Sequence, residues 1–225
     1  MAARKNVISM VAMIVFGCIV MAYVDSVIMP DYAVKSMIKL VIFLTLPFGY
    51  CLIHRDLSFR SLFKFEKKEM TFSVLLGVGV FVFILGSYFL IGPFLDLSRV
   101  TESLQNNIGV NAGNFIFVAV YISIVNSLLE EFFFRGFAFL VLKKLTGRRF
   151  AYLFSAGAFA VYHIAMMTSW FTVPLFLLLI TGLFVAGLLF NWLNERNGNI
   201  YASWMVHMCA NLAINTIGFM LFGLV

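Results

Sequence analysis

An apolar run over residues 115–142 contains three ionisable side chains, Glu130, Glu131 and Arg135, near its middle. A helix needs about 20 apolar residues to cross a bilayer, so this run is long enough to span one. Each ionisable group at the bilayer centre costs roughly 2.5–3.5 kcal/mol, and such groups mark functional sites with partners inside a helix bundle. The run therefore predicts a membrane-spanning helix that faces other protein elements and carries a polar site.

The composition of the whole chain agrees with a membrane protein. Of its 225 residues, 63% are hydrophobic and only 12% are charged, whereas soluble domains have about 25% charged residues. Closed β-barrels also span membranes, but their strands are short and alternate in polarity, while the apolar runs here are long and continuous. We therefore expect an all-α polytopic transmembrane helix bundle of about seven spans, with residues 1–225 forming a single membrane domain.

The predicted spans cover roughly residues 7–24, 34–53, 70–91, 115–142, 150–167, 171–192 and 200 onward. We interpret the first run as a retained span and not as a cleaved signal peptide. Lys35 and Lys39 are expected to snorkel to the headgroups. Residues 54–69 mix basic and apolar side chains, which is typical of a segment lying on an anionic leaflet. Residues 94–114 are predicted to be a loop with a short helix, and residues 194–199 a polar turn.

The distribution of Lys and Arg predicts the orientation. Twelve of them lie in the N-terminal tail or in the loops after the second, fourth and sixth spans, whereas Lys35, Lys39 and Arg99 belong to the opposite side. The positive-inside rule then places the N-terminus in the cytoplasm and the C-terminus outside. Because the formal charge of +6 is explained by these loops, we predict no nucleic-acid partner. The three cysteines, Cys18, Cys51 and Cys209, lie in apolar segments, which favours packing over disulfides or a zinc site.

Helix geometry separates the two central glutamates. Glu131 and Arg135 are four residues apart on one helix face and are predicted to form an ion pair. Glu130 points about 100° away from Glu131 and is predicted to have no partner on its own helix. A purely structural role, in which the three charges only hold helices together, is the alternative.

Three further polar residues fall at a similar depth: His163, His207 and Asn211. At a rise of 1.5 Å per residue, Glu130 and His163 lie roughly 18 and 20 Å from the basic turn near residue 146. Each residue alone has a structural alternative, since buried histidine and asparagine also hold helices together by hydrogen bonds. Together, a carboxylate, two imidazoles and an amide in one layer favour chemistry.

The chemistry predicted from these residue types is hydrolysis by an activated water. A carboxylate and an imidazole hold and deprotonate water, and a second imidazole and an amide donate hydrogen bonds to a developing oxyanion. We expect no cofactor. A zinc site is the runner-up, because two histidines and a glutamate are a known ligand set; the lack of HExxH on one helix ranks it second.

Three motifs in this chain resemble those of the CPBP (Abi) family of glutamate-dependent intramembrane proteases. They are Glu130-Glu131-x-x-x-Arg135, Phe159-x-x-x-His163 and His207-x-x-x-Asn211, and the resemblance covers about residues 115–222. The family includes type II CAAX prenyl endopeptidases and bacteriocin-processing and self-immunity proteins. The resemblance implies that Glu130 and His163 activate water, that His207 and Asn211 form the oxyanion site, and that Glu131 and Arg135 shape the site.

We therefore expect an endopeptidase in the bacterial cytoplasmic (plasma) membrane, acting on a membrane-associated peptide or protein. The lipid bilayer is its other partner. Two alternatives stay open: a non-catalytic immunity or regulatory partner, and a proton-coupled transporter that uses the polar cluster as a relay. The transporter hypothesis predicts internal repeats or broken helices, and the sequence shows neither clearly. The substrate, its prenylation and the oligomeric state are left open.

Overall fold

A computed structural model describes residues 2–54, 59–65, 67–168 and 170–225. These residues form an all-α structure without a strand. Seven of the described helices are long and apolar enough to cross a membrane. The prediction of an all-α polytopic bundle with seven spans is confirmed.

The helices, numbered in chain order, match the predicted spans to within a few residues. The first, α1 (Ala2–Tyr23), continues as a π-helical turn, Val24–Ile28. A short helix was predicted within residues 94–114, and α4 (Ser98–Ile108) is found there. The remaining helices are α2 (Tyr32–Ile53), α3 (Lys67–Ile91), α4 (Ser98–Ile108), α5 (Phe115–Leu145), α6 (Arg148–Met167), α7 (Val173–Asn197) and α8 (Tyr201–Leu221).

The end of α7 differs from the prediction of a polar turn over residues 194–199. The helix continues to Asn197 and ends at Gly198, whose φ of 67° is left-handed, a conformation that glycine adopts without strain. Asn194 is fully buried, and its amide donates to Ser203 Oγ over 2.7 Å. The polar residues here therefore join α7 to α8, and the turn itself is shorter than predicted.

Helix α5 is the centre of the bundle. Every residue of its widened, π-helical part, Glu131–Val141, is buried, and α1, α2, α6, α7 and α8 all contact α5. Phe43 of α2 stacks on Phe133 with ring centroids 4.0 Å apart. By contrast, α3 exposes large apolar side chains such as Phe83 and Leu75. The helix that carries the ionisable residues is thus surrounded by protein, as predicted.

Small residues allow the outer helices to approach closely, as in other membrane bundles. A Cβ added at Gly77 of α3 would lie 2.8 Å from the sulfur of Cys209 in α8. One added at Gly187 of α7 would lie 2.9 Å from the Cα of Ala156 in α6. Cys18, Cys51 and Cys209 all lie within the described ranges and are not joined by disulfides.

The prediction that Lys35 snorkels to the headgroups is wrong. The residue is 8% exposed, and its Nζ lies 2.6 Å from Asp25 Oδ1 at the end of α1. An ammonium inside a bundle is stabilised by a carboxylate more than by a distant headgroup layer. This ion pair joins α2 to the π-helical turn after α1.

The basic segment over residues 54–69 is only partly described, because residues 55–58 and 66 lie outside the described ranges. Within it, Phe59 and Leu62 are buried, and Phe59 packs edge-on against Phe132 of α5 at 5.2 Å. Phe63 and Phe65 are exposed. The described part of the segment is thus anchored to the core by Phe59 and Leu62, while the prediction that the segment lies on a leaflet surface stays a prediction.

Candidate active site

The three central ionisable side chains are all withdrawn from the protein surface. Glu131 and Arg135 are fully buried, and Glu130 is 3% exposed. Arg135 Nε lies 3.4 Å from Glu131 Oε2, so the predicted pair is present. The guanidinium carbon lies 4.0 Å from the ring centre of Phe159, a cation–π contact that further stabilises the buried charge.

One imidazole joins the two glutamates. His207 Nδ1 lies 2.9 Å from Glu131 Oε1, and its Nε2 lies 3.6 Å from Glu130 Oε2. An ionised carboxylate only accepts hydrogen bonds, so the hydrogen of the shorter contact sits on Nδ1. His207 is 7% exposed and is stacked on Phe190 with ring centres 5.4 Å apart. Glu131 and Phe190 together fix the ring so that Nε2 faces Glu130.

Glu130 has partners that the sequence analysis did not assign. Asn126, one turn earlier on α5, donates from its Nδ2 to Glu130 Oε1 over 3.1 Å. Lys39 of α2 makes a very short contact with the same oxygen. The predictions that Glu130 lacks a partner on its own helix and that Lys39 snorkels are therefore wrong. Lys39 is 5% exposed and its Nζ also donates to Asn126 Oδ1 over 2.6 Å.

A signal for Lys39 is present in the sequence. Lys35 and Lys39 share one face of α2 at a spacing of four, and Lys39 lies two turns inside an apolar helix. A lysine at that depth needs an anion nearby or a path to the interface. The sequence cannot show which of the two is used, since this depends on the rotation of α2 relative to α5.

His163 lies where α6 is interrupted by a turn, between Tyr162 and Ile164. Its Nδ1 lies 2.8 Å from the carbonyl oxygen of Phe159, and its ring packs against the rings of Phe159 and Tyr162 at 4.7 and 5.0 Å. The carbonyl oxygen can only accept a hydrogen bond, so the hydrogen is on Nδ1. The other ring nitrogen, Nε2, is left available for a further partner. His163 is close enough to Glu130 for their charges to influence each other, and its predicted role in activating water stays a prediction.

Asn211 is placed one turn of α8 beyond His207. Its amide donates to the carbonyl of Ile122 over 3.2 Å, where α5 is π-helical. This contact resembles the helix-joining alternative weighed from the sequence, but it uses only one of the two N–H groups of the amide. The predicted role of Asn211 in an oxyanion site stays a prediction.

A cavity of about 300 Å³ lies where α1 and α6 end, and its lining comes within one helical turn of Lys39 and His163. Lys35, one turn from Lys39, lines it, as do Ala165 and Met166, which follow His163. Trp170 donates to Ser103 of α4 over 2.9 Å and closes one wall. The remaining lining residues are Asp25, Ser26, Met29, Asn107, Ile108 and Thr168.

The donor set does not fit the runner-up zinc site. No group of three His, Cys, Asp or Glu side chains within the described ranges has an arrangement that could hold a metal ion. An ammonium already contacts Glu130. A cation at Glu130 would meet the repulsion of the Lys39 charge.

Chemically, the cluster combines two carboxylates in unlike surroundings. Glu131 is held by Arg135 and His207 and serves to orient the imidazole, in the way that a carboxylate orients a catalytic histidine. Glu130 has one oxygen engaged by Lys39 and Asn126, while the other faces His207. An ionised carboxylate beside imidazole nitrogens, in a site that excludes bulk water, is suited to accept a proton.

Comparison with known families agrees with the motifs. Residues 112–213 match the family described as type II CAAX prenyl endopeptidase Rce1-like. Neither the curated proteins nor the solved structures give a match. The match agrees with the family resemblance of the three motifs, and the matched residues include every predicted site residue: Glu130, Glu131, Arg135, His163, His207 and Asn211.

Proposed function

We propose that this chain, in which residues 112–213 form an Rce1-like domain of a protease family, is an intramembrane endopeptidase. The observation that carries the proposal is the bridging of two adjacent buried carboxylates by one imidazole, His207, at the centre of a membrane bundle. A purely structural charge cluster needs no second carboxylate, Glu130, facing the Nε2 atom of that imidazole. A carboxylate and an imidazole placed together can hold and deprotonate a water.

In the proposed reaction, Glu130 and His163 take the proton from a water that attacks the peptide carbonyl. In the form of His207 that carries a hydrogen on both ring nitrogens, Nε2 and the amide of Asn211 donate hydrogen bonds to the oxygen on which negative charge develops. Glu131 and Arg135 do not react; they fix the orientation of the His207 ring. No serine or cysteine nucleophile takes part.

The proposed substrate is a membrane-associated peptide or protein that reaches the site from the side of the 300 Å³ cavity. The family name favours processing of a CAAX-type chain end, and bacteriocin or peptide processing linked to immunity is the neighbouring possibility. The protein is proposed to act in a bacterial cytoplasmic membrane with its N-terminus inside, because twelve Lys and Arg residues lie on that side.

The proposed mechanism also needs no metal, because the Lys39 ammonium takes the place of a cation beside Glu130. Purified protein is expected to retain its turnover after exhaustive chelation, and elemental analysis is expected to find no stoichiometric zinc. A zinc enzyme would lose activity on chelation and regain it when the metal is returned. That result would make Glu130, His163 and His207 candidate ligands.

The experiment that tests the function compares peptide termini in membranes from cells expressing the wild type and Glu130→Gln. New termini should appear only with the wild type, because the amide cannot act as a base. Glu102→Gln, the same change at an exposed site on α4, is the matched control and should behave as the wild type. Identical termini with the wild type and Glu130→Gln would favour the non-catalytic partner.

A further inference from the structure

We propose that Lys39 of α2 is the positioning residue that determines which oxygen of Glu130 acts as the base. The inference rests on the proposed function. It adds to the site a residue from outside the stretch that matches the protease family, residues 112–213.

A closed set of hydrogen bonds surrounds one carboxylate oxygen of Glu130, Oε1. Lys39 Nζ contacts Glu130 Oε1 and also donates to Asn126 Oδ1 over 2.6 Å. Asn126 Nδ2 in turn donates to Glu130 Oε1 over 3.1 Å. An ammonium has only donors, so it forces the amide oxygen of Asn126 towards itself and the amide N–H₂ towards Glu130. Lys39 thereby orients both the Asn126 amide and the Glu130 carboxylate.

These contacts make the two oxygens of Glu130 unequal. Lys39 and Asn126 both donate to Oε1, so this oxygen is a poor proton acceptor. Oε2 faces Nε2 of His207 at 3.6 Å and is the oxygen placed beside that imidazole. The geometry therefore points to Oε2 as the atom that receives the proton of the attacking water, with Oε1 held by Lys39.

Lys39 itself is buried between aromatic rings. The side chain is 5% exposed, and its Nζ lies 5.0 Å from the ring centre of Tyr162 and 5.4 Å from that of Phe43. These rings and Glu130 hold the ammonium in place. Its charge also offsets that of Glu130, so the carboxylate remains ionised in a membrane interior. Lys39 touches the base and not the peptide, so it should affect the chemical step more than substrate binding.

The first test is kinetic and uses a matched pair of lysine variants. Lys39→Met should lower kcat by about 10²-fold, the lower end of what a general base contributes, and leave KM within about twofold. Lys143→Met removes a partly buried lysine of α5 whose partner is Glu195 and not Glu130. It should keep the wild-type kcat. A Lys39→Met enzyme with wild-type kcat, or an equal fall of kcat in both variants, would overturn the inference.

The second test needs no variant at position 39 and so does not depend on its folding. An apolar carbodiimide should activate the Glu130 carboxyl, and the Lys39 amine should displace the urea to form an amide bond, with net loss of one water. Mass spectrometry should find this cross-link between α2 and α5 in the wild type and not in Glu130→Gln. No cross-link in the wild type would refute the contact.

The two proposals fail differently. If turnover does not depend on Glu130, the proposed function fails whether or not the cross-link forms. If turnover depends on Glu130 but neither on Lys39 nor on a detectable pair, only the assignment of Lys39 fails.

Discussion

At the scale of single residues, Arg135 shows how the buried site is held together. Its guanidinium is fully buried, pairs with Glu131 and covers the face of Phe159. Through Glu131 it acts on His207, the imidazole shared by both carboxylates. The planar guanidinium is suited to stacking and ion pairing at once, which an ammonium does less well.

Arg135→Ala should therefore lower stability as well as activity. Removing one partner leaves Glu131 as an uncompensated buried charge, which costs about 3–5 kcal/mol. Arg148→Ala is the control, because this residue makes an exposed pair with Glu195, and such pairs contribute about 1 kcal/mol or less. Thermal unfolding in detergent measures both. Equal melting temperatures for Arg135→Ala and the wild type would show that the pair does not stabilise the bundle.

Spacing along one helix can predict contacts within that helix, including the i, i+4 contact of Asn126 with Glu130 that was missed because only charged residues were considered, but not contacts between helices. The pair of Glu131 and Arg135 follows from the i, i+4 rule, and the common layer of Glu130 and His207 follows from counting residues. The contact of Lys39 with Glu130 does not follow, because it depends on how α2 is rotated against α5. The contact of His207 with both glutamates was also not predicted, although they are about 100° apart on α5.

At the scale of elements, α4 and the segment after α6 form the wall of the cavity beside the site. Trp170 is hydrogen-bonded to Ser103 of α4, and Asn107, one turn later, also lines the cavity. The sequence predicted a short helix in this region but gave no reason to place it in the wall of this cavity. Its position depends on tertiary contacts that local polarity does not specify.

Asn107→Trp should obstruct the cavity and lower kcat/KM by about tenfold or more, because a misplaced substrate loses the benefit of orientation. Asn106→Trp makes the same change at an exposed neighbouring residue that does not line the cavity, and should have little effect. Steady-state kinetics on a substrate peptide compare the two. If Asn107→Trp were as active as Asn106→Trp, substrate would not enter by this cavity.

At the scale of the whole molecule, the buried lysines sharpen the charge asymmetry. Lys35 and Lys39 were counted on the outer side, but both are engaged inside the bundle. Arg99 is then the one basic residue in the sequence left for the outer loops, against twelve on the other side. The number of spans follows from hydropathy and is confirmed, whereas the orientation depends on the surrounding membrane and stays a prediction.

Reporter fusions to the two termini should show the N-terminus in the cytoplasm and the C-terminus outside. Seven spans require opposite sides, and the basic loops determine which side is which. Both termini on one side would contradict the assignment of one helix as a span. A cytoplasmic C-terminus with an external N-terminus would contradict the charge rule for this chain.

The measurement that tests the central claim most directly is the turnover of purified Glu130→Gln in detergent. The amide oxygen can still accept hydrogen bonds from Lys39 and Asn126, so the variant should stay folded. Its unfolding temperature should be lower than that of the wild type, because the buried Lys39 ammonium loses its ionised partner. Because the amide cannot take a proton from water, turnover should fall by about 10²–10⁴-fold, while Glu102→Gln should retain it. Wild-type turnover in a folded Glu130→Gln protein would contradict the assignment of Glu130 as the group that activates water.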